Sequence, residues 1–398
     1  MKTKYKNAKK IGSLTALLLI FSIAGLKADD TSANISIAKF ITNLKISGDM
    51  RLRQENFWKS TAGQVDRARQ RFRFRLGINP TIQDITVGFR LASGTGEQVS
   101  TNQSFDNFSS QKDIFIDLAY LEWKTLPWLK LAGGRMPNPF WKVYSSDIVW
   151  DDDFNPEGFA EKFEFNLHER FTPFLNFSQI VLDEDSGDNR DQWMFGYQIG
   201  AQTKLFNETK WNFSAALYDL DNERVGNFSQ NTLGEGNSRF PGSGVSTTTA
   251  YFTMAHLTTE IKTKVGALPI SLQGDFVTNI AKNDNDPAFG NRVFGSSSTE
   301  KVGYQFGAIL GKASAANSWE LAYFFKWAET NCTLADLADS DFGDGGTNRR
   351  GHIFWVAFNP RDYVQLKLKY LTTEVIRPDL APGPDNINRM QLDMSVKF

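Results

Sequence analysis

Five arginines occur at every second position of one short segment, a spacing that could create a strongly positive surface. In an extended strand, side chains two residues apart share a face and lie roughly 7 Å apart, so these cations would form a ladder. More arginines fall on the matching face of the neighbouring segments. The predicted basic wall consists of Arg51, Arg53, Arg67, Arg69, Arg71, Arg73, Arg75 and Arg90.

Two interpretations of this basic wall are open from the sequence. If the arginines face water, they can steer and select anions, or set a transverse field against acids on the opposite side. If carboxylates pair with them, they mainly keep an interior surface hydrated. The net charge of the chain does not decide between these interpretations, because the wall is a local feature.

A second candidate group is acidic and lies in residues 135–158, a segment that is also rich in Pro and aromatic residues. If this segment folds inward, its carboxylates would face the basic wall and narrow a passage between them. If it is an external loop, they would only be solvated. The candidate constriction acids are Asp147, Asp151, Asp152, Asp153 and Glu157.

Other kinds of site are poorly supported by the sequence. The spacing of Asp151, Asp153 and Asn155 resembles the start of a Ca²⁺ loop, but Pro156 stands where such loops need Gly, so we predict no metal. The three His and the single Cys332 form no metal-binding pair, and no nucleophile motif such as G-x-S-x-G is present. The formal net charge of −1 argues against a nucleic-acid partner. We therefore predict no enzymatic activity and no cofactor.

The elements that must position the charged residues are predicted to be strands. Apolar residues repeat with period two in many segments, as in the apolar row Trp319, Leu321, Tyr323, Phe325 and Trp327. Only the N-terminus has an apolar run near the roughly 20 residues of a membrane helix, which excludes a polytopic helical membrane protein. The sequence predicts an all-β fold, a transmembrane up-and-down antiparallel β-barrel of about 16 strands, within a range of about 14 to 18.

The predicted strands are each near the length that a tilted membrane strand requires. They span 44–55, 67–78, 83–93, 112–124, 129–136, 158–167, 173–182, 192–204, 211–221, 248–264, 270–280, 301–312, 318–329, 351–359, 362–375 and 388–398.

The connections between these strands alternate between short turns and long loops, which is typical of outer-membrane barrels with periplasmic turns and external loops. A Lys-rich start followed by the apolar run from Ile11 to Leu26 predicts a secretory signal peptide. We divide the chain into a signal peptide (1–28), a short periplasmic segment (29–43) and an outer-membrane barrel (44–398).

The last strand carries apolar residues at alternate positions and ends in Phe398. This pattern resembles the signal that the barrel-assembly machinery of the outer membrane reads, so Phe398 is the candidate assembly signal. Apolar rows must face the outer-membrane lipid, since a charge near the bilayer midplane costs about 2–4 kcal/mol. The opposite rows are polar, which predicts a hydrated lumen through which small hydrophilic solutes could diffuse passively.

Three segments also resemble a known family: Gly133–Trp141, Val149–Gly158 and Ile116–Trp123 are similar to the putative porin family of bacterial outer-membrane β-barrel proteins. The resemblance implies a pore for small hydrophilic solutes, and it supplies no site residues. By analogy, a homotrimer is expected. A substrate-specific oxyanion channel and a surface receptor or adhesin are the alternatives to a general porin.

Overall fold

A computed structural model describes residues 44–60, 65–184, 186–187, 191–206, 208–221, 236–237, 251–281, 300–343, 345–378 and 386–398. The predicted signal peptide (1–28) and the short segment that follows it (29–43) lie outside the described residues. Within the described part of the chain, no helix is long and apolar enough to cross a membrane.

The predicted barrel of 16 strands is confirmed, and every predicted strand has a counterpart. Two further segments, β3 and β5, are only two residues long. The strands are β1 (Ile46–Lys59), β2 (Arg67–Ile78), β3 (Thr81–Ile82), β4 (Ile85–Ser93), β5 (Gln103–Ser104), β6 (Ile114–Leu126), β7 (Leu129–Arg135), β8 (Glu157–Glu164), β9 (Phe171–Asp183), β10 (Gln192–Phe206), β11 (Thr209–Asp221), β12 (Thr253–Val265), β13 (Leu268–Asn279), β14 (Val302–Gly311), β15 (Ser318–Ala328), β16 (Arg349–Arg361), β17 (Val364–Val375) and β18 (Ile387–Lys397).

Each long strand pairs in antiparallel fashion with its neighbours along the chain, and β18 closes the barrel by pairing with β1. Closure leaves no free sheet edge, which a membrane requires because lipid cannot hydrogen-bond to the backbone. β5 pairs with β2 beyond the end of β4, so the segment between β4 and β6 (94–113) extends the barrel sheet at that point.

The two faces of the strands have opposite chemistry. On β15 the outward side chains of Trp319, Leu321 and Tyr323 are exposed, whereas the inward side chains of Phe324 and Lys326 are buried. Exposed apolar and buried charged residues are the reverse of a water-soluble protein, and they match a barrel with lipid outside and a polar interior.

The interior is not an open cylinder, because loop L3 (136–156), between β7 and β8, folds into it. Trp150 is fully buried between the rings of Phe140 and Phe154, with centroid distances of 5.9 and 5.6 Å. Gly196 on β10 makes room for this packing, since a Cβ there would lie 2.1 Å from the ring of Phe140. The backbone N–H of Trp141 donates to Gln198 at 2.8 Å, which ties the loop to the wall.

A second inward loop, L7 (329–348), lies between β15 and β16 and packs against L3. Its Asp339 N–H donates to the carbonyl of Asp147 at 2.9 Å, and its Leu337 carbonyl accepts from Asp151 N–H at 2.8 Å. Cys332, Leu334 and Leu337 join the apolar cluster around Trp150. The lumen is therefore narrower than the strand count alone would suggest.

Candidate functional site

The basic wall lies on the inner face of the barrel, on the adjacent strands β1, β2 and β4. Arg51 and Arg53 face inward on β1, and their backbone positions pair with Arg73 and Arg71 on β2. Arg67 lies on the same face of β2, at its exposed end. Arg90 on β4 pairs with Asp117 on β6. Strand alternation therefore brings the predicted arginines together on one side of the lumen.

Carboxylates from the neighbouring strands hold several of these arginines. Asp49 on β1 binds Arg73 at 2.8 Å and Arg75 at 2.7 Å. Glu55, also on β1, accepts a hydrogen bond from Arg69. The ladder of β2 is thus partly neutralised by two acids of β1, because Asp49 lies in register with Arg75 and Glu55 with Arg69.

Loop L3 adds one acid to the wall. Asp153 lies 3.7 Å from Arg73 and 3.4 Å from Arg75. Burial alone would raise the pKa of Asp153, but these two guanidinium groups outweigh that effect and hold its pKa below the usual value. Asp153 therefore stays charged, in the position expected for a constriction acid.

The other predicted acids have different surroundings. Asp147 and Asp152 both bind Lys142 at 2.6 Å, within L3 itself. Burial, with Asp152 beside it, raises the pKa of Asp147 to about 7. Asp151 accepts a hydrogen bond from Ser340 N–H at 2.9 Å, so it joins L3 to L7.

Glu157 does not lie with the loop acids. It is the first residue of β8, on the same face as the outward-pointing Phe159, and it pairs with Arg135 at 2.8 Å. Because β8 begins at this residue, its side chain follows the strand alternation and points away from the lumen. It stands apart from the basic wall.

Loop L7 supplies acids that the sequence did not single out. Asp341 binds Arg53 at 3.1 Å and Arg389 on β18 at 3.0 Å. Although burial opposes it, the Arg53 and Arg389 guanidiniums hold the pKa of Asp341 well below its usual range. Asp339 binds Lys326 at 2.9 Å, and both side chains are buried. These contacts fasten L7 to the inner wall.

The basic wall also extends further around the barrel than predicted. Arg389 on β18 and Lys367 and Lys369 on β17 face inward, opposite outward rows such as Leu366 and Leu368. The same alternation that located the arginines of β2 could have found these residues. We define the wall cations as the arginines of the predicted basic wall together with Arg389, Lys367 and Lys369.

Some of the wall cations lack a close carboxylate. Arg51 has Asp393 only at 3.9 Å, since that acid is held by Arg53 at 2.7 Å. Arg71 has Glu55 only at 3.8 Å. Among the described residues, Lys367 and Lys369 have no carboxylate within 4.0 Å. The inner wall therefore retains positive charge that its own acids do not fully balance.

The described residues contain no cluster of three His, Cys, Asp or Glu that could hold a metal ion. What they do contain is a charged surface inside a closed barrel, narrowed by two loops. Fixed charges of this kind act on ions that pass close to them. The arrangement suits selection of a mobile solute.

The candidate assembly residue lies at the closing seam of the barrel. The N–H of Phe398 donates to the carbonyl of Gly48 at 3.0 Å, and Gly48 N–H donates back at 2.8 Å. The Phe398 ring covers Gly48, where an added Cβ would lie 2.7 Å from ring atoms, and it is exposed on the outside.

Comparisons with known proteins agree with this architecture. A family model described as putative porin matches residues 51–240 and 230–398. The structure of OprB from Pseudomonas putida is similar, with 10% identity, a TM-score of 0.57, and coverage of 91% of this chain and 96% of that one. The structure of OmpF from Salmonella typhi has 10% identity, a TM-score of 0.51, and coverage of 89% and 97%. At these identities the two structures support the fold alone. No curated protein matched the sequence.

Proposed function

Because this chain belongs to the putative porin family, we propose that it is an outer-membrane channel through which small hydrophilic solutes diffuse, with a preference for small anions. The observation that carries the preference is the set of wall cations that have no close carboxylate among the described residues: Arg51, Arg71, Lys367 and Lys369. No energy source or cofactor enters this mechanism. The two inward loops set the width of the passage, and the wall sets its charge.

Purified protein in planar bilayers is expected to give discrete conductance steps in KCl. Vesicles that contain it should swell faster in small neutral sugars than in large ones, because the loops narrow the passage. The control is the same protein unfolded by heat before reconstitution. Folded, heat-modifiable protein that gives neither steps nor swelling would contradict the channel, and would leave the receptor alternative.

The oxyanion-specific alternative differs in its concentration dependence. A site that binds phosphate or sulfate should make the current saturate with that anion, whereas simple diffusion gives a current that rises in proportion. The same bilayers distinguish the two.

Phe398 is proposed to be part of the assembly signal, supported by its place at the β1–β18 seam. Deleting Phe398 is expected to lower the yield of membrane-inserted barrel while export continues, as measured by fractionation and heat-modifiable migration. The matched variant Phe398→Tyr should insert, because it keeps a C-terminal aromatic ring. Equal insertion of the deletion and the full chain would show that the terminal residue is not required.

A homotrimer is proposed as well, and polar residues on the outside of the barrel support it. Gln54 donates to Asn56 at 2.8 Å and accepts from Gln70 at 2.7 Å on the outward faces of β1 and β2. Leu392 on β18 lies in register with Gln54 and is exposed on the outside, so the polar cluster lies at the same height as the apolar outer surface. A polar cluster at that depth suits a contact with a second protein surface better than lipid. A monomer mass by light scattering in mild detergent would contradict it.

A further inference from the structure

Lys367 differs from the other wall cations because, in the described part of the chain, two aromatic rings and no carboxylate lie beside it. Its Nζ lies 4.4 Å from the ring centroid of Trp355 and 5.7 Å from that of Tyr144. Among the described residues, this ammonium donates no hydrogen bond to a protein acceptor. The nearest strand acid in register, Asp393, is occupied by a bidentate contact with Arg53.

The two rings differ in exposure. Trp355 on β16 is buried, stacks on Phe324 at 5.4 Å, and donates its indole N–H to Glu320 at 2.7 Å. Tyr144 belongs to loop L3, and 55% of its surface is exposed although the loop lies inside the barrel. The rings meet nearly at right angles, at 81° with centroids 6.3 Å apart. A buried ring and an exposed ring therefore flank one ammonium group at the edge of the passage.

This combination defines what could bind there. Aromatic rings attract cations, but this pair already has its cation in Lys367. The ammonium has three donors that can bind an anion. The open face of Tyr144 can stack with a flat apolar ring, or meet one edge to face. A ligand that uses both features has one acidic group attached to one ring.

Nearby acids limit the charge of the ligand. Glu320 accepts the indole N–H of Trp355 at 2.7 Å, so its carboxylate lies beside this site. Desolvation of the Tyr144 hydroxyl, with Glu320 and Asp152 nearby, raises the pKa of Tyr144. A dianion would be repelled by those acids more strongly than a monoanion. A carboxylate therefore fits better than a doubly charged phosphate.

We propose that Tyr144, Trp355 and Lys367 form a binding subsite in the lumen for small aromatic monocarboxylates. This deepens the proposed function, because it names one class of solute that the passage would hold briefly on its way through. The carboxylate would accept hydrogen bonds from Lys367, and the ring would rest against Tyr144.

The test compares benzoate with acetate on the full-length protein. Benzoate should half-block the chloride current at a clearly lower concentration than acetate, since only benzoate can use the ring of Tyr144. Lys367→Gln should raise the half-blocking concentration of benzoate about tenfold, the loss expected for one charge-assisted hydrogen bond. Tyr144→Ala should weaken block by benzoate but not by acetate, and Tyr144→Phe should behave like the unchanged protein.

Lys262→Gln is the matched control, because Lys262 is also an inward-facing lysine, on β12, but is held by Glu260 at 2.7 Å. It should leave the block by benzoate unchanged. Equal block by benzoate and acetate, or an unchanged block in Lys367→Gln, would overturn the subsite while the channel stands.

If no current is found, the channel fails, and saturation-transfer NMR of benzoate with the detergent-solubilised protein decides the subsite. Transfer to the benzoate ring that is lost in Tyr144→Ala would support it, and no transfer would overturn it.

Discussion

Asp339→Asn is expected to release loop L7 from the lumen and to increase the single-channel conductance. Asp339 is the only carboxylate within 4.0 Å of Lys326 among the described residues, and the side chain of Lys326 is 0% exposed. Removing one member of a buried ion pair leaves an uncompensated charge, which costs about 3–5 kcal/mol. We expect L7 to leave the lumen, because water can then reach Lys326 and solvate its charge. The asparagine keeps the oxygen that accepts the N–H groups of Asp341 and Phe342, so the local turn is preserved.

Two matched variants separate charge from loop packing in this experiment. Lys326→Met combined with Asp339→Asn removes the stranded charge and should restore the low conductance. Glu374→Gln breaks an exposed outward pair with Arg350, worth at most about 1 kcal/mol, and should change nothing. Added protease should cleave L7 in Asp339→Asn, where the conductance rises, and should spare it in the two variants that keep the low conductance. If Asp339→Asn keeps both the conductance and the protease resistance of the unchanged protein, the ion pair does not hold the loop.

The strands could be predicted because their signal is local. Alternation of apolar and polar residues is written into each segment, and it assigns both a strand and a face without knowledge of the rest of the chain. Errors lie at the ends, where tertiary contacts decide. β8 ends at Glu164 instead of continuing to 167, because the chain turns there and His168 pairs with Phe171. β1 continues to Lys59, because β18 and β2 supply partners for its last residues.

The inner face of the wall could be predicted for the same reason, but its ion pairs could not. Asp49 meets Arg73 once β1 and β2 pair in the right register, and Asp393 meets Arg53 only when the barrel closes and brings β18 beside β1. Of the two interpretations of the basic wall, neutralisation describes Arg73 and Arg75, whereas the nearest described carboxylate to Arg51 is Asp393 at 3.9 Å. The choice between them depends on register, which the sequence does not state.

Loop L7 was the least predictable part of the lumen. Its residues show no periodic pattern, and Asp339 and Asp341 act only through contacts with L3 and the wall. L3 was easier to identify, because its Pro and aromatic content indicated an ordered segment, and its Asp153 does face the arginines. Its other acids have roles within L3 and towards L7, as the contacts of Asp151 with Ser340 illustrate.

The anion preference is expected to fall when two of the unpaired wall cations are neutralised together. Arg51 and Lys369 are suitable, because within the described ranges neither has a carboxylate closer than the 3.9 Å that separates Arg51 from Asp393. Arg73 is a poor choice, because its replacement would leave Asp49 with less positive charge beside it. In water, a charge about 7 Å from a passing ion contributes roughly 0.6 kcal/mol. Losing two should lower the anion-to-cation permeability ratio severalfold.

The effect should depend on salt, since the Debye length is about 30 Å at ~0.01 M and about 3 Å at ~1 M. The matched control is Arg170→Gln with Arg350→Gln. It removes the same charge from an exposed residue before β9 and from an outward position on β16.

The most direct measurement is therefore the reversal potential across a KCl gradient at low salt, for the unchanged protein, the Arg51→Gln, Lys369→Gln variant and this control. We expect an anion-selective potential that the control keeps and the lumenal variant reduces. A cation-selective potential in the unchanged protein, or equal potentials in it and the lumenal variant, would contradict an anion passage governed by the wall.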